Sequence, residues 1–293
     1  MQSIAAFQGE RGAFSEQAAR QLHGNDSDVL PCRTFDDVFD AVASHQASCA
    51  VVPIENSLAG SVLRNYELLA ERGLSIGGET YVRIELCLIG IPGACLDDVR
   101  TVSSHPVALA QCQRYPAQRS FEAAAAYDTA GSVKSIMERG VKSDAAIAGA
   151  TASELYGAEI LASGIEDHHQ NYTRFLLLEP AGSAPRHSEG AMKTTLLFRT
   201  VNRPGALFRA LAAFALRDID MSKIESRPIE GSPWEYSFYV DVAGSTSDAV
   251  LRRAIAHLEE MCETVRVLGS YPAADFPAGQ REPVAGREPI TAK

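Results

Sequence analysis

Residues 171–178 read Asn-Tyr-Thr-Arg-Phe-Leu-Leu-Leu and are the point from which the rest of the chain is best understood. A polar loop, residues 167–170, leads into this apolar run, and the combination is typical of a loop that enters a buried strand. Burial of Arg174 would be costly without an anionic partner. We therefore expect Arg174 to meet either an anionic ligand or a carboxylate of the protein itself. The adjacent pair His168 and His169 has no Asp, Glu or Cys set at ligand spacing, so no metal site is expected.

Upstream of this run, short β-type stretches alternate with helical ones. Strands are predicted at Ser3–Phe7, Cys49–Ile54, Arg83–Ile91, Thr101–Ser104, Asp144–Ala148 and Tyr172–Leu178. Helices are predicted at Ser15–His23, Phe35–Ser44, Ser57–Glu71, Pro106–Arg114, Ala130–Arg139 and Thr151–Tyr156. This alternation favours a mainly parallel α/β sheet covered by helices. Ligands in such folds bind at the carboxyl ends of strands, where helix N-termini offer free N–H groups.

A Pro-, Gly- and Ser-rich stretch divides the chain, and we assign 1–180 to a first domain and 181–192 to a linker. The element order over 193–272 is βαββαβ, with a helix opened by Pro204. Its sheet has helices on one face, and we expect the other face to pair with a second copy. Residues 273–293 have little to bury and are predicted to be a disordered tail.

Composition and charge narrow the class of protein. The chain has 293 residues, 46% hydrophobic and 22% charged, which is ordinary for a globular protein. A net charge of −10 argues against nucleic-acid or anionic-membrane partners, because both need a basic face. Six cysteines without a CxxC pair, no signal peptide and no long apolar segment favour a cytoplasmic protein with reduced thiols.

Three further segments place small polar groups where a strand meets a helix: 7–15, 52–61 and 103–112. The first could be only a glycine turn with Ser15 as a helix cap. In the second, Asn56 or Ser57 could be an N-cap or could bind a polar ligand. In the third, His105 titrates near neutral pH but before a proline is more often a structural hydrogen bonder.

Taken together, these motifs resemble the prephenate dehydratase family. The matching runs, in the family's order and rough spacing, are Gly-Ala-Phe-Ser-Glu (12–16), Pro-Ile-Glu-Asn-Ser-Leu-Ala-Gly-Ser (53–61), Ser-His-Pro (104–106), Asp-Thr-Ala-Gly-Ser (128–132), Leu-Tyr-Gly (155–157) and Asn-Tyr-Thr-Arg-Phe (171–175). The resemblance covers about residues 3–271. Val107 and Glu10 stand where the family often has Gln and Pro. No segment resembling a chorismate mutase precedes the first strand, so the chain looks monofunctional.

The resemblance implies a two-lobed, periplasmic-binding-protein-like α/β catalytic domain followed by a ferredoxin-like βαββαβ ACT domain. Residues 202–207 and 223–228 match the two segments that bind phenylalanine in these enzymes. The implied allosteric residues are Asn202, Pro204, Gly205, Ala206, Leu207, Glu225, Ser226, Arg227 and Pro228. Pairing of catalytic and of ACT domains would give a homodimer or a homotetramer.

The implied reaction converts prephenate to phenylpyruvate, water and CO2, without a cofactor and under feedback inhibition by phenylalanine. The implied catalytic residues are Thr173, Asn56, Ser104 and Gln111, and the implied substrate-binding residues are Arg174, Phe175, Glu55, Ser57 and Ser61. A threonine hydroxyl is a weak acid, so we expect Thr173 to act as a positioned donor. Two alternatives remain open: an arogenate dehydratase that forms phenylalanine directly, and a non-catalytic amino-acid sensor.

Overall fold

The first lobe is built on a mixed sheet that contains both ends of the first domain. The structure is a computed structural model that describes residues 4–24, 27–183, 186, 188–229 and 231–276. The elements of this lobe are β1 (Ile4–Gln8), α1 (Phe14–His23), β2 (Asp28–Cys32), α2 (Phe35–Ala43), β3 (Cys49–Asn56), β4 (Gly60–Ser61), α3 (Leu63–Arg72), β5 (Ser75–Arg83) and, much later in the chain, β11 (Tyr172–Glu179). The strand order is β2-β1-β3-β11-β5, with β4 paired to β3. The returning strand β11 therefore lies in the middle of the sheet and is buried on both faces.

The second lobe is inserted between β5 and β11. Its elements are β6 (Cys87–Gly90), β7 (Thr101–Ser104), α4 (Pro106–Gln111), α5 (Arg114–Gln118), β8 (Glu122–Ala125), α6 (Thr129–Arg139), β9 (Asp144–Ala148), α7 (Ala150–Tyr156) and β10 (Glu159–Ala162). The strand order is β10-β6-β9-β7-β8. Because the chain enters and leaves this lobe next to β5 and β11, the two lobes meet in a cleft at the start of β11.

Both sheets are mixed, which corrects the prediction of a mainly parallel sheet. In the first lobe β1 runs parallel to β2 and β3, but β11 is antiparallel to both β3 and β5. The returning strand enters the sheet from the far lobe and so has the opposite direction. Sequence periodicity does not distinguish the two directions when a strand is buried on both faces.

The C-terminal domain has the predicted βαββαβ order. Its elements are β12 (Met192–Thr200), α8 (Ala206–Ala215), β13 (Met221–Ile229), β14 (Ser232–Ala243), α9 (Ala249–Met261) and β15 (Cys262–Pro272). The four strands lie in the order β13-β14-β12-β15, and α8 and α9 pack on one face around Phe198, Phe214 and Leu258. The predicted fold class, two α/β lobes followed by a βαββαβ domain, is confirmed.

The helix-free face of this sheet is covered by the first lobe of the same chain. Tyr239 donates its hydroxyl to Tyr66 O at 2.7 Å, and Arg266 Nη1 donates to Ala70 O at 2.9 Å. Gly269 lies so close to the Ile76 backbone that a Cβ would not fit there. The expectation that this face pairs with a second copy is therefore wrong. A sheet face that lacks helices in its own domain can be covered by another domain of the chain.

Several element boundaries differ from the prediction. The strand β5 was missed, and the helix predicted from Ser57 begins only at Leu63, after the short strand β4. Pro204 lies in the turn before α8, whose N-cap is Gly205 at φ +73°. The tail was predicted to begin at residue 273, but Ala273 N donates to Ala191 O at 2.9 Å. Residue 273 is therefore still hydrogen-bonded to the C-terminal domain. Of the predicted tail, residues 277–293 lie outside the described residues.

Candidate active site

A cleft of about 430 Å³ lies between the two lobes. Three of the four predicted polar segments reach it through Asn56, Gln111 and Thr173, and the glycine loop reaches it through Ser15. Phe175 and Ser61 line it as well. The lobes are linked beside it by contacts of Tyr127, Tyr156, Asp128 and Lys134 in the second lobe with Arg33, Arg11 and Glu10 in the first lobe.

The orientation of the Asn56 amide is determined by backbone donors. The Asn56 Oδ1 atom accepts hydrogen bonds from the backbone N–H groups of Leu58 at 3.0 Å and Ala59 at 2.8 Å. A backbone N–H only donates, so the oxygen must face this turn and Nδ2 must point the other way. Asn56 Nδ2 donates to Thr173 Oγ1 at 2.9 Å. Thr173 Oγ1 thus accepts from Asn56, and its own hydrogen is directed to another acceptor.

Asn171 and Gln111 complete a closed amide network. Asn56 Nδ2 also donates to Asn171 Oδ1 at 2.8 Å, and Asn171 Nδ2 donates to Gln111 Oε1 at 3.0 Å. Gln111 Nε2 reaches back to Asn56 Oδ1 at 3.4 Å. Asn171 is fully buried, so these bonds satisfy an amide that water does not reach. The network holds side chains from both lobes in one geometry.

The walls of the cleft are largely apolar, and several helices begin at its rim. Aromatic and aliphatic side chains from both lobes line it, namely Phe14, Phe35, Ile84, Leu86, Val107 and Phe175. The helices α1, α4 and α6 begin at Phe14, Pro106 and Thr129, and each contributes residues of its first turn to the lining. Ala13, the N-cap of α1, makes no side-chain capping bond. Glu16 N and Gln17 N donate to Ala13 O, so the N–H groups that the first turn of α1 can offer to an anionic ligand are those of Phe14 and Ser15.

His105, Asp128 and Tyr127 are titratable groups of the cleft lining. His105, the N-cap of α4, accepts from Val107 N through Nδ1 at 3.2 Å, which is the structural alternative considered for it. Asp128, the N-cap of α6, accepts from Gly131 N through Oδ1 at 2.7 Å. Burial raises the pKa of Asp128, and its hydrogen bonds from Gly131 and from the Glu10 backbone only partly oppose this. Asp128 Oδ2 leaves no space for a Cβ at Gly9, whose φ of +114° also requires glycine.

Ser104 is not brought to the cleft, contrary to the prediction. Its side chain is fully buried, and its hydroxyl donates to Ile147 O at 2.6 Å, which links β7 to β9. The neighbouring His105 occupies the N-cap and the rim position instead. Residues at consecutive positions of a strand end point to opposite sides, so only one of the two can face the cleft.

Arg174 is also turned away from the cleft. In β11 the side chains of Thr173 and Phe175 face the cleft, and those of Tyr172 and Arg174 face the C-terminal domain because successive side chains alternate. Arg174 Nε donates to Glu79 Oε2 at 2.7 Å, and Nη1 donates to Asp241 Oδ2 at 2.5 Å. Of the two environments expected for Arg174, the structure therefore gives the salt bridge to the protein's own carboxylates.

The Arg174 ion pairs belong to a buried network that joins the two domains. Lys193 Nζ lies 2.6 Å from Glu79 Oε1, and Tyr271 receives a bond from Arg174 Nη2 at 3.1 Å. Asp241 also accepts from Thr195 Oγ1 at 2.6 Å. Two cations face two carboxylates, so the buried network is neutral, and the second oxygen of Asp241 is satisfied by the Thr195 hydroxyl. This connection lies directly behind the strand that carries Thr173.

Three further predicted substrate-binding residues make contacts within the protein. Ser57 Oγ donates to Gln170 O at 3.1 Å and accepts from Tyr172 N at 3.0 Å, so it fixes the loop before β11. Glu55 pairs with Lys223 of the C-terminal domain at 2.9 Å. Ser61 lines the cleft, but its hydroxyl donates to Glu225 Oε2 at 2.6 Å. Glu55 and Ser57 therefore lie outside the cleft lining, and Ser61 connects the lining to the C-terminal domain.

The predicted effector residues separate into two groups. Along β13, Glu225 and Arg227 face the first lobe, where Arg227 Nη2 donates to Glu67 Oε1 at 2.7 Å. Ser226 and Pro228 are exposed on the helix side of the sheet. The residues before α8, which are Asn202, Pro204 and Gly205, are exposed, and Ala206 and Leu207 are partly buried. One strand thus has one face toward the cleft domain and the other toward solvent.

The sequence did not single out some residues that lie in the cleft lining or are hydrogen-bonded to it. Asn171 was part of the quoted motif, and its spacing of two from Thr173 is the signal that places both on one side. Asp128 was quoted only as part of a motif. Gln8 lies in the segment 7–15 but was not assigned a role, and Phe35 and Tyr127 carry no local signal, because they reach the cleft only through the packing of the two lobes.

Within the described ranges, no group of three or more His, Cys, Asp or Glu side chains is arranged to hold a metal ion. In that same part of the chain, no helix is both long enough and apolar enough to cross a membrane.

The fold and the cleft define a two-lobed α/β protein with a separate domain of the βαββαβ type. Residues 5–183 match the family model of prephenate dehydratase, and residues 194–260 match that of the ACT domain. The chain is 42% identical over 276 residues to "Arogenate dehydratase/prephenate dehydratase 2, chloroplastic" of Arabidopsis thaliana, with 91% of this chain and 72% of that protein covered. It is also 42% identical over 275 residues to the "Bifunctional N-acyl-homoserine lactone acylase/prephenate dehydratase" of Komagataeibacter europaeus, with 93% and 97% covered.

A solved structure supports the same assignment. The prephenate dehydratase of Arthrobacter aurescens, in complex with L-Phe, superposes with a TM-score of 0.84 at 33% identity and covers 92% of this chain and 89% of that one. The chain therefore belongs to the prephenate dehydratase family, with an ACT domain, and is a dehydratase of the lyase class.

Proposed function

We propose that the chain catalyses the decarboxylating dehydration of prephenate in phenylalanine biosynthesis. In this reaction the ring carboxylate leaves as CO2, and the two electrons of the broken C–C bond enter the ring. The C–O bond on the opposite side of the ring breaks, and the hydroxyl group leaves as water once it has received a proton. The products are phenylpyruvate, CO2 and water. Aromatisation of the ring drives the reaction, so the protein has to orient the substrate and assist the departing hydroxyl.

The observation that supports this proposal best is the geometry around Thr173. Because Asn56 Nδ2 donates to Thr173 Oγ1, the Thr173 hydroxyl hydrogen is free to be donated to a leaving hydroxyl in the cleft. A threonine hydroxyl is too weak an acid to transfer its proton efficiently by itself. We therefore assign to Thr173 the role of a fixed donor that stabilises negative charge on the departing oxygen. The proton that completes the water molecule comes from solvent or another group.

The remaining lining suits a substrate that has an unsaturated ring and two carboxylates. The apolar walls contributed by Phe35, Leu86 and Phe175 match an unsaturated ring. The uncapped first turn of α1 offers backbone N–H groups to one carboxylate. Gln111 and His105 lie on the opposite lobe and supply further donors. Positioning by both lobes keeps the reacting groups aligned.

The experiment that tests the proposal is turnover of prephenate by the purified chain, followed as release of phenylpyruvate and CO2. Thr173→Val should lower kcat on the order of 10²–10³-fold, since it removes one placed donor while keeping the shape of the side chain. The matched control is Thr80→Val, because Thr80 lies on the neighbouring strand and donates to Gln21 at 2.9 Å outside the cleft. Full activity of a folded Thr173→Val variant would contradict the proposed role.

Arogenate is the alternative substrate, and the names of the plant relatives favour it. Prephenate carries a keto group where arogenate carries an ammonium group. Asp128 is the buried carboxylate of the cleft lining, and its contacts with Gly131 and Glu10 engage it within the protein. We propose prephenate as the preferred substrate on this ground. A kcat/KM for arogenate above that for prephenate would reverse the assignment.

We further propose that phenylalanine binds the ACT domain and inhibits the enzyme. Support comes from the L-Phe complex of the Arthrobacter aurescens relative and from the contacts of Glu225 and Arg227 with the first lobe. Such coupling is usually worth about 1–3 kcal/mol. A homodimer or homotetramer and a cytoplasmic location remain predictions. Turnover measured against phenylalanine concentration, together with sizing in solution, tests this part.

A further inference from the structure

The segment after β15 crosses the back of the strand that carries Thr173. Ala274 N donates to Glu79 Oε1 at 3.1 Å, next to the Arg174 ion pairs. The ring of Phe276 then packs against two tyrosines of the first lobe. Its centroid lies 5.1 Å from that of Tyr172, with the rings tilted by 55°, and 5.3 Å from that of Tyr81, in an edge-to-face arrangement at 75°. Both contacts are within the range of favourable aromatic pairs.

Tyr172 connects this aromatic contact to the cleft. Its side chain is only 8% exposed and, by strand alternation, lies on the same face as Arg174, away from the cleft. Its backbone, in contrast, is part of the amide network: Tyr172 O accepts from Ser57 N at 2.8 Å and from Asn56 Nδ2 at 3.2 Å. The next residue is Thr173. A shift of the Tyr172 ring therefore moves both partners of the Asn56–Thr173 hydrogen bond.

We propose that Phe276 is a positioning residue for the dehydration, which holds Tyr172 from the face opposite the cleft and so keeps Thr173 and Asn56 in register. The inference rests on the proposed function, because it concerns the same reaction. Phe276 is not itself a residue of the cleft lining, and its ring contacts Tyr172, through which it acts. Tyr81, on the neighbouring strand β5, is the second aromatic residue against which the Phe276 ring packs.

A loss of this contact has a defined kinetic signature. Small displacements of a reacting group, well below the size of an atom, are costly in rate, and 1 Å costs about 10²-fold. Removal of the Phe276 ring should permit a smaller shift, and we expect kcat to fall ~10-fold. KM should stay within about twofold, since the apolar walls and the helix N-termini that bind substrate are unchanged.

The experiment compares Phe276→Ala, Phe276→Leu and Phe276→Tyr in the full chain with prephenate and arogenate as substrates. Phe276→Tyr retains the ring and should keep kcat near that of the parent, and Phe276→Leu should fall between Tyr and Ala. The control is Phe208→Ala, which removes a phenylalanine that is 77% exposed on α8 and should leave kcat unchanged. If Phe276 contributed only to stability, we would not expect kcat to fall at unchanged KM and to recover in the Phe276→Tyr variant.

The route through Tyr172 is tested by a double-mutant cycle. In a Tyr172→Leu background, Phe276→Ala should lower kcat no further, because the residue through which it acts is already changed. Additive effects in the cycle would overturn the proposal, as would an unchanged kcat of Phe276→Ala. A ring-retaining variant as slow as Phe276→Ala would also overturn it. A parent chain inactive on both substrates would instead overturn the proposed function, and the positioning role with it.

Discussion

The two faces of β11 have opposite tasks, although their residues alternate within one short motif. Thr173 and Phe175 face the cleft, where an amide network and apolar walls surround them. Tyr172 and Arg174 face the C-terminal domain and the segment that follows it. The comparison teaches that neighbouring residues of one motif need not contact the same ligand. When a strand is buried on both faces, a displacement of side chains on one face moves the backbone and therefore the side chains on the other face.

The largest expected effect is a loss of stability, caused by a substitution on the face of β11 that points away from the cleft. Arg174→Met should lower the free energy of unfolding by about 3–5 kcal/mol, because it leaves Asp241 as an uncompensated buried charge. Chemical denaturation of the purified chain measures this loss. The control is Arg139→Met, whose exposed pair with Asp144 should contribute no more than about 1 kcal/mol.

The same variant distinguishes the two faces kinetically. If Arg174 contacted substrate, Arg174→Met would raise KM strongly while the remaining folded enzyme stayed stable. A variant with full stability and a large increase in KM would therefore refute the assignment of Arg174 to the domain interface.

The next effect concerns the cleft face. Asn56→Asp keeps the shape of the side chain and its acceptor for Leu58 and Ala59, but it replaces the donor to Thr173 by an oxygen. The Thr173 hydroxyl would then donate to that carboxylate instead of the substrate. We expect kcat to fall on the order of 10²–10³-fold. Turnover and the thermal midpoint measured on one preparation check this, and near-normal turnover by the folded variant would contradict the hydrogen-bond direction that we assign.

A smaller effect is expected where the cleft lining meets β13. Ser61→Ala removes the hydroxyl that donates to Glu225 Oε2 at 2.6 Å. It should change the coupling between phenylalanine and substrate by about 0.5–2 kcal/mol. The measurement compares the phenylalanine concentration for half inhibition with the dissociation constant of phenylalanine. Ser44→Ala, at the exposed end of α2, is the control, and equal coupling in both variants would exclude this contact as a route.

The smallest effect is a pH dependence that originates at Asp128. Its pKa is raised above 3.8 in the folded chain by burial, so the folded state binds a proton more tightly than the unfolded state. The stability of the parent relative to Asp128→Asn should therefore fall as the pH rises from 3.8 through the raised pKa, and then level off. Thermal midpoints of both proteins across that range measure the difference.

Asp98 provides a control of opposite sign. Hydrogen bonds from Cys95 lower its pKa below 3.8, so stability relative to Asp98→Asn should be lost only as the pH falls below that value. A parent that gains stability over Asp128→Asn with rising pH would show that Asp128 is not held in a desolvated site.

Much of the cleft was predictable because local signals coincide there. Asn56 and Gln111 end β3 and α4, Thr173 and Phe175 lie in the first half of β11, and the structure brings all four to one cleft. The run Thr34-Phe-Asp-Asp37 is typical of a helix start, and Thr34 and Asp37 form a reciprocal capping box at the start of α2. Such features depend on residues a few positions apart, and they can therefore be predicted from the sequence.

The predictions were wrong where the environment of a residue or a sheet face depends on which distant element packs against it. Ser104 and Arg174 carry the right chemistry for a polar substrate, but the alternation of side chains turns both away from the cleft. The helix-free face of the C-terminal sheet was expected to be open to a second copy, and the first lobe covers it instead. The burial of β5 and the attachment of residues after β15 likewise follow from distant partners.

By itself, the sequence determined the order of the domains, the family, the βαββαβ topology and the polar residues that gather around Thr173. These follow from local periodicity, from capping and turn chemistry, and from motifs that lie within short stretches of chain. Only the tertiary structure decided which member of each motif faces the cleft and which binds the neighbouring domain. It alone placed Glu79, Asp241 and Phe276 behind β11, because the energy of a buried charge or ring depends on partners far away in the chain.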